Sequence, residues 1–101
     1  TAHYQQGGGD PAPAIRQYRD WIGVLHLKDV RTSTAQASGY QFVELGRGRV
    51  DLKAVFAALN DINFTGWGVV ELDRVPEAGR TPKECAQINR RYLIDALGQR
   101  I

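Results

Sequence analysis

The chain has 101 residues, with 13 basic and 11 acidic side chains and a formal net charge of +2, which is the size of one small domain. The basic residues form no run, since the closest groupings are Arg47 with Arg49 and Arg90 with Arg91, so composition argues against the basic patch of a nucleic-acid binder. No apolar run is long enough to cross a membrane, and no stretch has the pattern of a signal peptide. The single cysteine cannot form an internal disulfide, so we expect a reducing, cytoplasmic setting.

The N-terminal part of the chain predicts one strand end, one helix and one clear strand. Residues 1–4 are interpreted as the end of a strand, and the glycines at 7–9 as a flexible turn. Asp10 followed by Pro11 predicts a helix start, with a capping side chain and proline at the first helical position. The apolar run from Ile22 to Lys28 predicts a parallel strand covered on both faces. Within it, His26 and Lys28 share a face.

The remaining elements alternate between helices and strands. Residues 31–41 are predicted to form a polar loop, 42–45 a short extended segment and 46–48 a turn. Asp51 caps an amphipathic helix, and Gly66 leads into a second strand over residues 67–73. Thr81-Pro82-Lys83-Glu84 has the pattern of a capping box that opens the last helix. This order predicts a run of βα units with a parallel sheet, in which a right-handed crossover containing a helix joins the two clear strands.

Polar side chains capable of binding a metal follow both clear strands. His26-Leu27-Lys28-Asp29 ends the first strand, and Glu71-Leu72-Asp73 ends the second. In parallel α/β folds the active site gathers at the C-terminal ends of the strands. We therefore expect a histidine and a glutamate to converge on one shared polar site, and we interpret it as a metal site.

Four strings, in this order and with suitable gaps, resemble the C-terminal part of the xylose-isomerase-like barrel superfamily. That superfamily includes sugar isomerases and epimerases, and the inosose dehydratases of inositol breakdown. The resemblance implies a (β/α)8 barrel, of which residues 1–101 would be a single partial domain with the last three βα units, because such barrels need roughly 250 residues. A first residue other than methionine also suggests a piece of a longer or processed chain. The strings are Thr1-Ala2-His3, His26-Leu27-Lys28-Asp29, Leu45-Gly46-Arg47-Gly48-Arg49-Val50-Asp51 and Gly66-Trp67-Gly68-Val69-Val70-Glu71-Leu72-Asp73.

The resemblance also implies a set of site residues. A divalent ion (Mn, Co, Mg or Zn) would be held by His26, by Glu71, by an aspartate directly ahead of Thr1 and by a glutamate on an earlier strand. Glu71 would also transfer the proton next to a substrate carbonyl, while the ion polarises that carbonyl. His3 and Lys28 would contact the substrate, a sugar or cyclitol. With half of the ligand set, residues 1–101 alone are expected to be inactive.

The residues themselves leave simpler interpretations open. His26 could be a hydrogen-bonded core residue, and Lys28 could serve only to balance the charge of Glu71 in a salt bridge between strands. Asp29 is expected to face away from Lys28, and either to support the site residues from behind or to cap a segment. The glycines at 46 and 48 could cradle a phosphate or form a tight connection. Two exposed arginines, Arg31 and Arg74, could recognise an anionic substrate or simply be solvated.

Two other functions remain open. Three parallel βα units leave unpaired strand edges and an uncovered apolar face, so the chain could be a non-catalytic piece that self-associates to cover them. The endonuclease branch of the same superfamily, which cuts DNA at abasic sites, is a weaker alternative because its members use more histidine and acidic ligands. No nucleic-acid or membrane partner is expected.

Overall fold

The computed structural model describes residues 1–101 and contains a parallel strand pair, an antiparallel hairpin and flanking helices. None of the helices combines the length and the apolar character that crossing a bilayer requires. The helices are α1 (Ala2–Gln6), α2 (Pro11–Gln17), α3 (Leu52–Asp61) and α4 (Pro82–Asp95), with a 3-10 turn at Arg19–Trp21. The strands are β1 (Val24–Leu27), β2 (Asp29–Thr32), β3 (Tyr40–Val43) and β4 (Trp67–Val70).

Three of the helices begin where the sequence provides a capping side chain. Asp10 accepts a hydrogen bond from the Ala12 amide, and Asp51 accepts one from the Ala54 amide. At the start of α4, the Thr81 and Glu84 side chains each accept from the other's backbone amide, which completes the predicted capping box. These bonds satisfy amides that have no partner inside a helix, so they place the helix starts at the predicted residues.

The parallel pair confirms the expected relation between the two clear strands. β1 and β4 lie side by side with Val24 opposite Trp67 and Leu27 opposite Val70. The connection between them contains α3, as a parallel crossover requires. Both strands are shorter than the predicted runs 22–28 and 67–73: β1 contains His26 but ends before Lys28, and β4 ends directly before Glu71.

Residues 31–41 are not only a loop, as the sequence predicted. β2 and β3 form an antiparallel hairpin in which Asp29 lies opposite Val43 and Thr32 opposite Tyr40. The hairpin continues directly from β1, so only residues 33–39 form its connecting loop. Polar composition hid β2, since a strand of a two-stranded hairpin needs only one buried face.

The N-terminal strand end predicted at residues 1–4 is wrong. The chain forms α1 instead, with backbone hydrogen bonds from Gln5 to Thr1 and from Gly7 to His3. Thr1 bonds to the end of β1: its amino nitrogen donates to the His26 carbonyl at 2.8 Å, and its Oγ1 bonds to both backbone groups of Lys28. The chain therefore turns into a helix one residue after it leaves the edge of β1.

The apolar core lies beneath the helices, and the opposite face of the parallel pair is open. Buried side chains from α1, α2, α3 and α4 pack with Leu27 and Val30. On the open face, Trp67 is 78% exposed, Val24 56% and Val69 44%. The prediction that β1 is covered on both faces is wrong for this chain, because no layer of the chain packs on that side.

Asp29 joins the end of β1 to the segment before α3. Its carboxylate is fully buried and accepts hydrogen bonds from the amides of Gly46, Gly48 and Val50, at 2.9–3.1 Å, as well as from Val30. A buried carboxylate that accepts several backbone N–H groups is well compensated for its lost hydration. Asp29 thus has the capping role that the sequence suggested, and the N–H groups of the glycine turn are already occupied.

Gly48→Ala is expected to destabilise the chain, because a methyl group at this position would collide with the Asp29 carboxylate and the Val30 carbonyl. We expect the free energy of unfolding to fall by about 2–3 kcal/mol in urea denaturation. Gly23→Ala is the matched control, since nothing lies within 4 Å of the added methyl group there. Equal effects of the two substitutions would contradict the close packing around Asp29.

Candidate functional site

His26 and Glu71 come together at the C-terminal end of the parallel pair. His26 lies in β1, and the Glu71 amide extends the pairing beyond β4 by donating to the Leu27 carbonyl at 3.0 Å. The His26 Nδ1 atom is 3.0 Å from Glu71 Oε2. Their side chains are 57% and 35% exposed, respectively. The two groups that the sequence expected to converge therefore do so, in a position that a small molecule can reach.

Lys28 is the buried cation of this cluster. Its side chain is 1% exposed, and its Nζ atom lies 2.6 Å from Asp73 Oδ1 and 3.4 Å from Glu71 Oε2. The same ammonium group lies 4.1 Å from the centre of the Phe42 ring. Because a buried ammonium group is costly without partners, these contacts explain how Lys28 is accommodated. They favour the charge-balance interpretation of Lys28, and contact with substrate stays a prediction.

The hairpin and α1 complete the surroundings of Lys28. Phe42 comes from β3, and its ring centre is 4.9 Å from that of His3 and 5.6 Å from that of Tyr40. His3 itself is exposed on α1, close to the cluster but without a polar contact to Glu71. The substrate role of His3 is therefore still a prediction, although the structure does bring the residue to the same end of the sheet.

Sequence reasoning gave too little weight to Asp73 and missed Phe42. Asp73 received no role in the site from the sequence, but its 2.6 Å ion pair makes it the nearest partner of Lys28. The signal was present, since residues two apart in an extended segment point to the same side. Phe42 carried no such signal, because only the fold of the hairpin brings its ring over the end of β1.

The chemistry of His26 and Glu71 fits part of a divalent-metal site. An imidazole nitrogen and a carboxylate oxygen suit zinc, manganese or cobalt, and these two atoms are 3.0 Å apart in a partly exposed position. Within residues 1–101 no group of three or more histidine, cysteine or acidic side chains is arranged to hold an ion. The chain thus offers two ligands, and the metal role of both stays a prediction.

Other residues singled out in the sequence have structural partners. Gly46 and Gly48 direct their amides at Asp29, which leaves no free cradle for a phosphate. Arg31 lies 3.6 Å from Glu77 in an ion pair. Cys85 is buried on α4, and burial, followed by hydrogen bonding to Glu44, raises the pKa of its thiol. None of these groups adds a reactive centre to the cluster.

Lys28→Met is expected to weaken the cluster, because it removes the cation that lies between Glu71 and Asp73 while keeping a side chain of similar length. Removing one partner of a fully buried ion pair costs about 3–5 kcal/mol. Since both carboxylates are partly exposed, we expect a smaller loss of about 1–3 kcal/mol in the free energy of unfolding. Lys53→Met on the exposed face of α3 is the control, and a loss no larger than that of the control would contradict the role of Lys28.

Comparison with known proteins identifies a family and relatives that the chain resembles. A family model described as the xylose isomerase-like TIM barrel matches residues 1–94. The inosose dehydratases of Geobacillus kaustophilus and Clostridium tetani are 31% and 34% identical to the chain, each over 92% of its length. That of Klebsiella pneumoniae is 34% identical over 96%.

These matches cover only part of the relatives. The chain spans 34% to 36% of the length of these three dehydratases, about one third. The parallel strands with flanking helices agree with this match, although the chain alone does not close a barrel. The chain belongs to the xylose isomerase-like TIM-barrel family.

Proposed function

We propose that the chain is the C-terminal part of a divalent-metal-dependent enzyme that removes a proton next to a carbonyl of a cyclitol or sugar. The observation that carries this proposal is the convergence of His26 and Glu71, 3.0 Å apart at the C-terminal end of two parallel strands. The names of the dehydratase relatives support it. The remaining metal ligands, and most of the barrel, would come from chain that lies outside residues 1–101.

Each polar residue of the cluster has a distinct role in this proposal. Glu71 Oε2 is oriented by His26 at 3.0 Å and by Lys28 at 3.4 Å. Glu71 Oε1 makes no hydrogen bond within the chain, so it is the oxygen available to accept the substrate proton. Asp73 holds Lys28 from the other side. A bound divalent ion would supply the Lewis acid that stabilises the negative charge developing on the carbonyl oxygen.

Thr1 supports the expectation of a further ligand directly ahead of it. Its amino nitrogen lies 2.8 Å from the His26 carbonyl. A residue joined to that nitrogen would therefore lie beside the cluster, where the resemblance implies an aspartate ligand.

The distribution of charge favours a neutral, hydroxyl-rich substrate over a sugar phosphate. Phosphate groups in proteins are held by free backbone amides at helix starts or by unpaired cations. Here Asp29 occupies the amides of the glycine turn, Asp51 caps α3 and Glu84 caps α4. Lys28 is already paired with two carboxylates. Because the relatives are named inosose dehydratases, and because these groups of residues 1–101 are already paired, we place dehydration of an inosose ahead of isomerisation of a sugar phosphate.

Glu71→Gln is expected to abolish proton abstraction in the full-length protein. With an inosose as substrate and a divalent ion present, we expect turnover to fall by about 10²-fold or more, because the amide cannot accept the proton. Loss of the inosose is followed by chromatography, and removing metal with a chelator should give a similar loss that added divalent ion reverses. Glu77→Gln, on the same loop, is the control.

The proposal would be refuted by a full-length protein that acts on no inosose or ketose in the presence of any divalent ion. Turnover of an inosose by the isolated 101 residues would refute only the expectation that this part is inactive alone.

A second, non-catalytic function is favoured by the open face of the parallel pair. β1 and β4 pair only with each other, so each has an unpaired outer edge. Trp67, Val24 and Val69 add exposed apolar surface on one face. Unpaired edges next to apolar surface are a template for association. We therefore propose that the isolated chain self-associates through this face.

Sedimentation velocity tests this association. The 101-residue chain is expected to form dimers or larger species as its concentration rises, and Trp67→Ser should shift the distribution toward monomer by about tenfold in dissociation constant. Trp21→Ser is the matched control, because Trp21 is also highly exposed but lies in the 3-10 turn and not in a strand. A chain that stays monomeric at high concentration would rule out the association.

A further inference from the structure

The segment that follows β4 carries both carboxylates of the candidate site but has no regular secondary structure. Residues 71–80 connect β4 to α4 and begin with Glu71 and Asp73. Loops of this kind keep one conformation only when side chains tie them to the rest of the fold. The position of Asp73 against Lys28 therefore depends on what holds residues 71–80 in place.

Two polar contacts join the middle of this loop to the hairpin. Gln41 Nε2 donates to the Pro76 carbonyl at 2.7 Å, and an Arg31 nitrogen lies 3.6 Å from Glu77 Oε1. The Arg31 and Glu77 side chains are 40% and 43% exposed. An exposed ion pair of this kind contributes typically about 0–1 kcal/mol, and the neutral hydrogen bond of Gln41 about 0.5–1.5 kcal/mol, so neither contact is a strong restraint on the loop.

The third contact, an ion pair between Glu44 and Arg80, is buried. Glu44, directly after β3, has a fully buried side chain, and its Oε1 atom lies 2.5 Å from Arg80 Nη1. Arg80 also donates from Nη2 to Glu77 Oε2 at 2.8 Å, so one guanidinium group holds both the end of the loop and its middle. Breaking a buried pair is far more costly than breaking an exposed one.

Other contacts keep Glu44 charged and fixed. Burial alone would raise its pKa, but hydrogen bonding with its own backbone amide, the nearby Cys85 thiol and Arg80 lowers the pKa on balance. The next residue, Leu45, donates its amide to Asn89 Oδ1 on α4 at 2.8 Å. The Glu44 Oε2 atom is buried without a hydrogen-bond partner, and Arg80 is the cation that pairs with this buried carboxylate through Oε1.

We propose that Glu44 is a positioning residue of the candidate site, which acts through Arg80 to fix residues 71–80 so that Glu71 and Asp73 reach Lys28. Glu44 would touch neither substrate nor metal. A role of Glu44 in catalysis rests on the proposed function, whereas its role in fixing residues 71–80 does not.

Glu44→Gln in the 101-residue chain tests the proposal without substrate or metal. Opening of the loop is measured as trypsin cleavage after Arg74, relative to cleavage after Arg19 in the 3-10 turn. We expect this ratio to rise by about tenfold, since cleavage follows the population of the opened loop. The Lys28 ammonium signal in ¹⁵N NMR, assigned with Lys28→Met, should broaden or disappear, because its protons exchange with water once Asp73 moves away.

Glu77→Gln is the matched control, since it removes a carboxylate from the same guanidinium group but leaves the buried pair intact. It should change the cleavage ratio by about twofold or less. If Glu44→Gln does not fold, Arg80→Lys replaces it, because lysine keeps the charge but cannot bridge Glu44 and Glu77 with a planar fork.

Two results would overturn the proposal. In the first, residues 71–80 of the Glu44→Gln variant stay as protected from trypsin as in the unmodified chain. The other is a loosened loop with an unchanged Lys28 signal, which would make Glu44 a purely structural residue. Because neither readout involves turnover, failure of the proposed enzymatic activity would leave the result interpretable.

Discussion

The candidate site depends on one buried charge. Lys28 follows β1, whereas Glu71 and Asp73 follow β4, so the two ion pairs of Lys28 join the ends of neighbouring strands. Without this cation, two carboxylates would face each other at the edge of an apolar sheet. The ring of Phe42 shields the ammonium group from water on a further side. Both carboxylates of the site thus contact one atom, Lys28 Nζ.

Adjacent residues at the end of β1 have opposite structural roles. Lys28 turns toward the site, while Asp29 turns away and binds the amides of residues 46–50. One strand end therefore organises two separate segments of chain, the polar cluster and the approach to α3. This division follows from the alternation of side chains in extended backbone.

Sequence patterns predicted the features that depend on local chemistry or on parallel strand order. The helix starts at Asp10, Asp51 and Thr81 were readable because capping acts over three residues. The proximity of His26 and Glu71 followed from the rule that parallel strands end at the same edge. The hairpin was missed because its residues are polar, and α1 was missed because five residues carry too little periodicity to mark a helix.

The polar contacts that hold residues 71–80 could not be predicted from the sequence. Glu44 looked like the continuation of a short extended segment, and its partner Arg80 is 36 residues away. No pattern in one sequence says which of ten arginines a buried glutamate will meet. Contacts of this kind are decided by how the hairpin and α4 pack. The contacts that we propose to set the geometry of the site are therefore less visible in the sequence than His26 and Glu71 at the strand ends.

The open face of the sheet has an optical consequence. The chain contains two tryptophans, Trp21 and Trp67, and they are 88% and 78% exposed. Both indoles are already exposed to water in the folded chain, so the wavelength of their fluorescence maximum changes little when the chain denatures. Coverage of the open face would instead enclose Trp67 alone and move its emission to shorter wavelength. Intrinsic fluorescence of this chain therefore reports docking on the sheet rather than the folding of the core.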